Sequence, residues 1–115
     1  MTDVDNSLQA AISPLFPCAP NQYHGKELEY VVWNHYQISG PYAEGLPAAA
    51  RYPTQVHYYL PHGKNPNPGK LALQQALFDA GFTWPSSIEN ASDSVGQHYV
   101  LECEYVNAGG VYGQT

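Results

Sequence analysis

Three stretches of this chain repeat with a period of two residues, and that period decides most of what the chain can fold into. In "RYPTQVHYYLP", residues 51–61, Val56, Tyr58 and Leu60 alternate with Gln55, His57 and Tyr59. In "QHYVLECEYV", residues 97–106, Tyr99, Leu101, Cys103 and Tyr105 oppose His98, Val100, Glu102 and Glu104. In "ELEYVVWNHYQIS", residues 27–39, both alternating sets are partly apolar: Leu28, Tyr30, Val32, Asn34, Tyr36 and Ile38 on one side, Glu29, Val31, Trp33, His35 and Gln37 on the other. Successive side chains of a strand point to opposite faces, so each run predicts a strand. The run at 27–39 is expected to be covered on both faces.

A different period governs "GKLALQQALFDAGF", residues 69–82. Gly69, Leu73, Ala76, Leu77 and Ala80 fall on one helical stripe, and Leu71, Gln74, Gln75 and Phe78 on a second, mixed face. Gly81 is placed as the C-cap and Phe82 as the residue that tucks back after it. "DNSLQAAI" predicts a shorter first helix, with Asp or Asn as cap and Pro14 as its stop. The prolines of "LFPCAPNQYHG" assign that segment to an edge strand or extended arm, since proline cannot donate within a ladder. Residues 40–50, "GPYAEGLPAAA", read as a loop, and "TWPSSIENASDSVG" as a polar turn region. The composition predicts a flexible tail from about residue 107. The expected order is α-β-β-β-α-β in a single α+β domain, residues 1–115, with an antiparallel or mixed sheet of about four strands and two helices packed on it.

At 115 residues, the chain is too small for an enzyme with separate binding and catalytic lobes. Ten Tyr, two Trp and three Phe beside only 12% charged residues suit a surface that is partly interface, and equally a Tyr-rich sheet. Four basic residues (Lys26, Arg51, Lys64, Lys70) against ten acidic ones give a formal charge of -6, too few cations for a groove that grips nucleic acid. The start "MTDVDNSLQAAISPLF" lacks the basic and apolar regions of a secretory signal, and no stretch approaches membrane-spanning length. Cys18 and Cys103 form no CxxC pair, and a single disulfide between them stays open.

The connector "PHGKNPNPGK" has the order of a phosphate-binding loop without its chemistry. Gly63 and Gly69 are separated by five residues where the motif has four, Leu71 follows Lys70 where Ser or Thr is needed, and Pro66 and Pro68 remove two backbone donors. It reads instead as a rigid strand-to-helix link with Pro68 in the first helical turn. Of five histidines, His35, His57 and His98 lie on three predicted strands and are the candidate metal ligands, although no close His or Cys pair accompanies them. Cys103 falls on an apolar strand face, the serines cluster in loops, and Glu102 with Glu104, about 7 Å apart along a strand, read as a solvated acidic face. No catalytic triad or cofactor fingerprint is visible, so neither an enzyme nor a cofactor is expected.

The order of these motifs resembles the minor-capsid and tail-terminator (tail-completion) proteins of siphophages and prophages. The matching segments are "YVVW" at 30–33, the loop at 42–46, the strand "RYPTQVH" at 51–57, the helix closing on "GF" at 81–82 and the strand at 99–105. The resemblance implies an α+β subunit of a ring, commonly a hexamer, at the head-proximal end of the tail tube, where it stops tube growth and meets the head connector. It implies a virion protein assembled in the host cytoplasm. The partners would be itself, the major tail-tube protein and the head-tail connector protein, with DNA passing through the lumen unbound. It brings no catalytic residues. On this reading the candidate contacts are Tyr42 and Glu44 in the loop, Arg51, the connector residues His62, Lys64, Asn65, Pro66 and Asn67, and Leu71 and Phe78 on the second helix. The alternatives are another neck or head-completion protein, or a small His-based metal-dependent or ligand-binding protein.

Overall fold

The computed structural model describes residues 3–36, 38–39, 42–43, 46–47 and 50–107, with side chains at 3–36 and 51–105. Helix α1 (Asp3–Ile12) is followed by strands β1 (Cys18–Pro20), β2 (Tyr30–His35), β3 (Ile38–Ser39), β4 (Tyr42–Ala43), β5 (Leu46–Pro47) and β6 (Ala50–Leu60). Helix α2 (Asn67–Asp79) and strands β7 (Ser86–Asn90) and β8 (Gln97–Asn107) complete the order. The α+β class is as the sequence predicts. The main sheet runs β1-β2-β6-β8-β7, with β3 beside β6 and a separate β4-β5 pair. It is mixed, because β1 runs parallel to β2 while the other pairs are antiparallel.

The spine is the pair β6 and β8, in register from Ala50 opposite Asn107 to Leu60 opposite Gln97. Alternation sends Thr54, Val56, Tyr58 and Leu60 of β6 and Leu101 and Cys103 of β8 into one buried layer, joined by Val31 and Trp33 of β2. Both helices cover that layer. Val4, Leu8 and Ile12 recur every four residues along α1, and Leu73 and Leu77 form the buried stripe of α2. Each of these leucines contributes enough that truncation to Ala would cost about 2–5 kcal/mol. Trp33 is fully buried, and its indole N–H donates to Asp5 Oδ1 at 2.9 Å, which ties the start of α1 to the sheet.

The end of α2 follows the capping chemistry read from the sequence. Gly81 adopts φ +101°, its N–H donates to the Phe78 carbonyl at 3.1 Å, and the Phe82 N–H donates to the Leu77 carbonyl at 3.0 Å. These paired bonds satisfy carbonyls that the helix leaves open, and they turn Phe82 into the core. Pro68 sits in the first turn, where its missing N–H costs nothing.

Several expectations are corrected. The polar region after α2 contains a further strand, β7, whose five residues are all exposed and which pairs antiparallel with β8. With no apolar face to bury, it leaves no period in the sequence. The run at 27–39 is divided: among its described residues, Tyr30–His35 and Ile38–Ser39 are strand, and Tyr36 between them is not. The stretch at 40–50 holds the paired β4 and β5 and the start of β6 rather than plain loop. Ordered pairing extends to Asn107, and the tail beyond lies outside the described residues. The proline-rich segment forms the edge strand β1, as proline's missing donor requires.

Candidate functional site

The helices leave one face of the sheet open. Parity places Tyr30, Val32 and Asn34 of β2, Gln55, His57 and Tyr59 of β6, and His98, Val100 and Glu102 of β8 on that face. Cross-strand register does the rest. Tyr30 is directly opposite Tyr59, and Tyr59 opposite His98, so their rings stack at 4.7 and 4.2 Å, and Tyr23 extends the stack onto Tyr30 at 4.5 Å. The rings lie face against face, so the stack presents its edges outward and forms a rib.

Beside the rib, His57 Nδ1 lies 2.9 Å from His98 Nε2, and His57 Nε2 lies 3.1 Å from Asn34 Oδ1. Asn34 accepts, so His57 carries its proton on Nε2, and its bare Nδ1 accepts from His98. Burial, then the charge of His98 on a second proton, lowers the His57 pKa against an opposing pull from Glu89. Burial likewise lowers that of His98, with Glu89 and Asp93 opposing. Both imidazoles are therefore held toward the neutral form. His35 does not join them. It shares the parity of Val31 and Trp33 and bonds Asp5 Oδ1 at 2.9 Å on the helix side of the sheet. Among the described residues no three His, Cys, Asp or Glu side chains converge as metal ligands. Cys18 and Cys103 are both free, and burial, reinforced by Glu102, pushes the Cys103 thiol up to about 12. A thiol so held is a core side chain and not a nucleophile.

Where the rib meets the end of β6, a cleft of about 350 Å³ opens between Leu28, Tyr30, Tyr59, His98 and the 92–96 turn. Two aliphatic side chains stand at its mouth almost bare, Leu28 at 73% exposure and Val95 at 90%. The turn is preformed: Asp93 Oδ1 accepts from the Val95 and Gly96 amides at 2.9 and 3.3 Å, and the Asp93 amide donates to Gly96 O at 3.0 Å. A second, more polar hollow of about 460 Å³ lies toward the other end, lined by Tyr36, Arg51, Trp84 and Glu104 among others.

The predicted contact residues separate into four groups. Arg51 makes a two-pronged ion pair with Glu104 at 2.8 and 2.7 Å, which lowers the Glu104 pKa and raises that of Arg51. The connector is tied down along its length. His62 Nε2 donates to Asp93 O at 2.7 Å, Lys64 pairs with Glu29, and Gln97 Nε2 donates to Pro61 O and Lys64 O, each at 2.8 Å. Asn65 Oδ1 accepts from the Asn67 amide at 3.1 Å, and Pro66 caps α2. Leu71 and Phe78 stand exposed on the outer side of α2, with Phe78 edge-on to exposed Trp84 at 5.7 Å. Tyr42 lies in β4 with its side chain outside the described residues, as Glu44 is altogether. Sequence reasoning missed Leu28, Trp84 and Val95. The available signal was an apolar residue stranded in a polar turn, as Val95 is between Ser94 and Gly96.

These features define an α+β domain with exposed apolar side chains on the outer side of α2 and around the cleft, among other places. No protein-family model and no curated protein matches the chain.

Proposed function

We propose that this chain is a structural subunit of a tailed-phage virion, a tail terminator that forms a ring at the head-proximal end of the tail tube, ends tube growth and joins tail to head. The observation that carries the reading is the placement of its bare apolar residues. Leu71 and Phe78 project from α2 on one side of the sheet, and Leu28 and Val95 project around the cleft on the open face. A subunit of a closed ring is touched by two neighbours through two different surfaces, and that is the requirement such a distribution meets. The sheet edges are poor alternatives: β1 is three residues long and ends in Pro20, and β7 is broken by a register shift between Ser87 and Glu89.

The net charge of -6 supports a lumen that DNA traverses without sticking, because like charge opposes binding to the wall. The tied connector supports a second role, as a rigid docking loop for the tube or connector protein, since an ordered loop loses little entropy on binding. The test is to polymerise the cognate tail-tube protein with and without this chain and to measure tube lengths by electron microscopy. Bounded tubes with ring density at one end are expected. Unbounded tubes with bare ends would reject the terminator role in favour of a head-side neck protein.

A further inference from the structure

We propose that His57 and His98 form a binding site for one late divalent transition-metal ion, copper, nickel or zinc, on the open face of the sheet. The site stands independently of the ring reading. Its basis is the meeting of two ring nitrogens, His57 Nδ1 and His98 Nε2, at 2.9 Å. Two nitrogens bound at right angles to one ion, each at about 2.1 Å, stand about 3.0 Å apart, so the spacing matches a cis pair of ligands. The backbone sets that spacing. His57 is opposite Val100 and His98 opposite Tyr59, which makes the two histidines diagonal neighbours on one face. Stacking on Tyr59 at 4.2 Å holds the His98 ring, and buried Val32 and Val100 stand on either side of His57.

His57 has the outer partner that a metal-binding imidazole uses. Its Nε2–H donates to Asn34 Oδ1 at 3.1 Å, which fixes the tautomer with Nδ1 bare. On binding, His98 releases its Nε2 proton to solvent and takes one up on Nδ1, so the ion replaces the shared proton and both imidazoles stay neutral. Burial favours these neutral forms, which are the ones that ligate. Glu89 supplies the countercharge. It pairs with Val100 from β7 and so shares the face, its carboxylate acts on both imidazoles, and its exposed side chain can turn toward the ion. Water takes the remaining positions. Two imidazoles beside one carboxylate select late transition metals over Mg²⁺ and Ca²⁺, which take oxygen ligands. Two other histidines are already committed, His35 Nε2 to Asp5 and His62 Nε2 to the Asp93 carbonyl.

The test titrates the untagged full chain with Cu²⁺, read by pulsed EPR, and with Zn²⁺, read by calorimetry. One Cu²⁺ per chain with two coordinated imidazoles is expected, and excess Mg²⁺ should not displace it. His57→Gln and His98→Gln, made separately and checked for native circular dichroism, should each weaken Zn²⁺ binding by about tenfold or more. His24→Gln and His62→Gln should leave it unchanged. Cu²⁺ held by one imidazole or none in the native chain, or Zn²⁺ binding indifferent to both core variants, overturns the site, and the EPR result stands even where a variant misfolds. Glu89→Gln should weaken binding severalfold; no loss overturns the role of Glu89 and keeps the imidazole pair.

Discussion

His57 and His98 share a single hydrogen bond, Nδ1 to Nε2 at 2.9 Å, and the far nitrogen of His57 is committed to Asn34. A second proton on the pair has to break that bond and place two positive charges side by side. Both groups have folded pKa values below the ordinary 6.5, so the unfolded chain binds more protons as pH falls through that value. The contribution of the pair to stability is therefore complete above pH 6.5 and declines below it, before the lowered carboxylates of Glu29 and Glu104 begin to titrate under 4.5. Thermal unfolding between pH 7.5 and 5 should show a falling Tm, flattened in the His57→Gln, His98→Gln double variant. An equal slope in both proteins would remove the pair as the cause.

At Gly69, α2 lies close against a side chain of the sheet. A Cβ built there overlaps the hydroxyl of Tyr58, which is buried and donates to the Glu29 carboxylate. Alanine in a helix normally gains about 1 kcal/mol over glycine. Here overpacking wins, and Gly69→Ala is expected to lower stability by about 2 kcal/mol. Urea unfolding decides the sign, and the penalty should shrink in a Tyr58→Phe background, where the colliding oxygen is gone.

The turn after α2 gives a pair of graded effects. Gly81→Ala forces a β-carbon onto a left-handed residue and should cost about 1 kcal/mol. Phe82→Ala empties a buried site in the core and should cost about 3–5 kcal/mol. Chemical denaturation of both would be inconsistent with this geometry if the glycine substitution proved the larger.

Cys103 should resist alkylation in the native protein and react once the chain is unfolded, since burial both shields the thiol and keeps it protonated. Iodoacetamide labelling read by mass spectrometry checks this. A disulfide-linked peptide containing Cys18 and Cys103 would contradict the free thiols found here.

On the proposed docking role of the connector, replacing Pro66 and Pro68 by Gly should weaken joining of tubes to heads while circular dichroism stays native. Joining at the wild-type level would count against that role. Deleting residues 42–46 should disturb subunit or partner contacts, and intact rings with normal joining would exclude that segment.

The parts of this fold that were legible in the sequence are those that bury a face. Val56, Tyr58 and Leu60, or Leu73 and Leu77, repeat at the period of their element because one side of each meets the core. Strand β7 was illegible because backbone bonds to β8 hold it, and such bonds leave no mark on side-chain choice. The His57–His98 pair depended on strand order, which no local pattern encodes. Parity did place His35 with Trp33, and so on the opposite face, once the core side was known. The cleft brings Leu28 beside Val95 from distant parts of the chain, and their meeting follows from register and not from spacing.

The position of β8 has a consequence for how the molecule comes into being. It is the last strand described, yet it lies inside the sheet between β6 and β7, closing one edge of β6 and giving β7 its pairing. During synthesis β6 must wait, with one edge unpaired, until residues 97–107 have left the ribosome. Completing the sheet is then dominated by distant contacts, and slower than helix content alone would suggest. A chain cut short before Gln97 would leave β7 without a partner and one edge of β6 open, an unpaired edge of the kind on which misassembly starts.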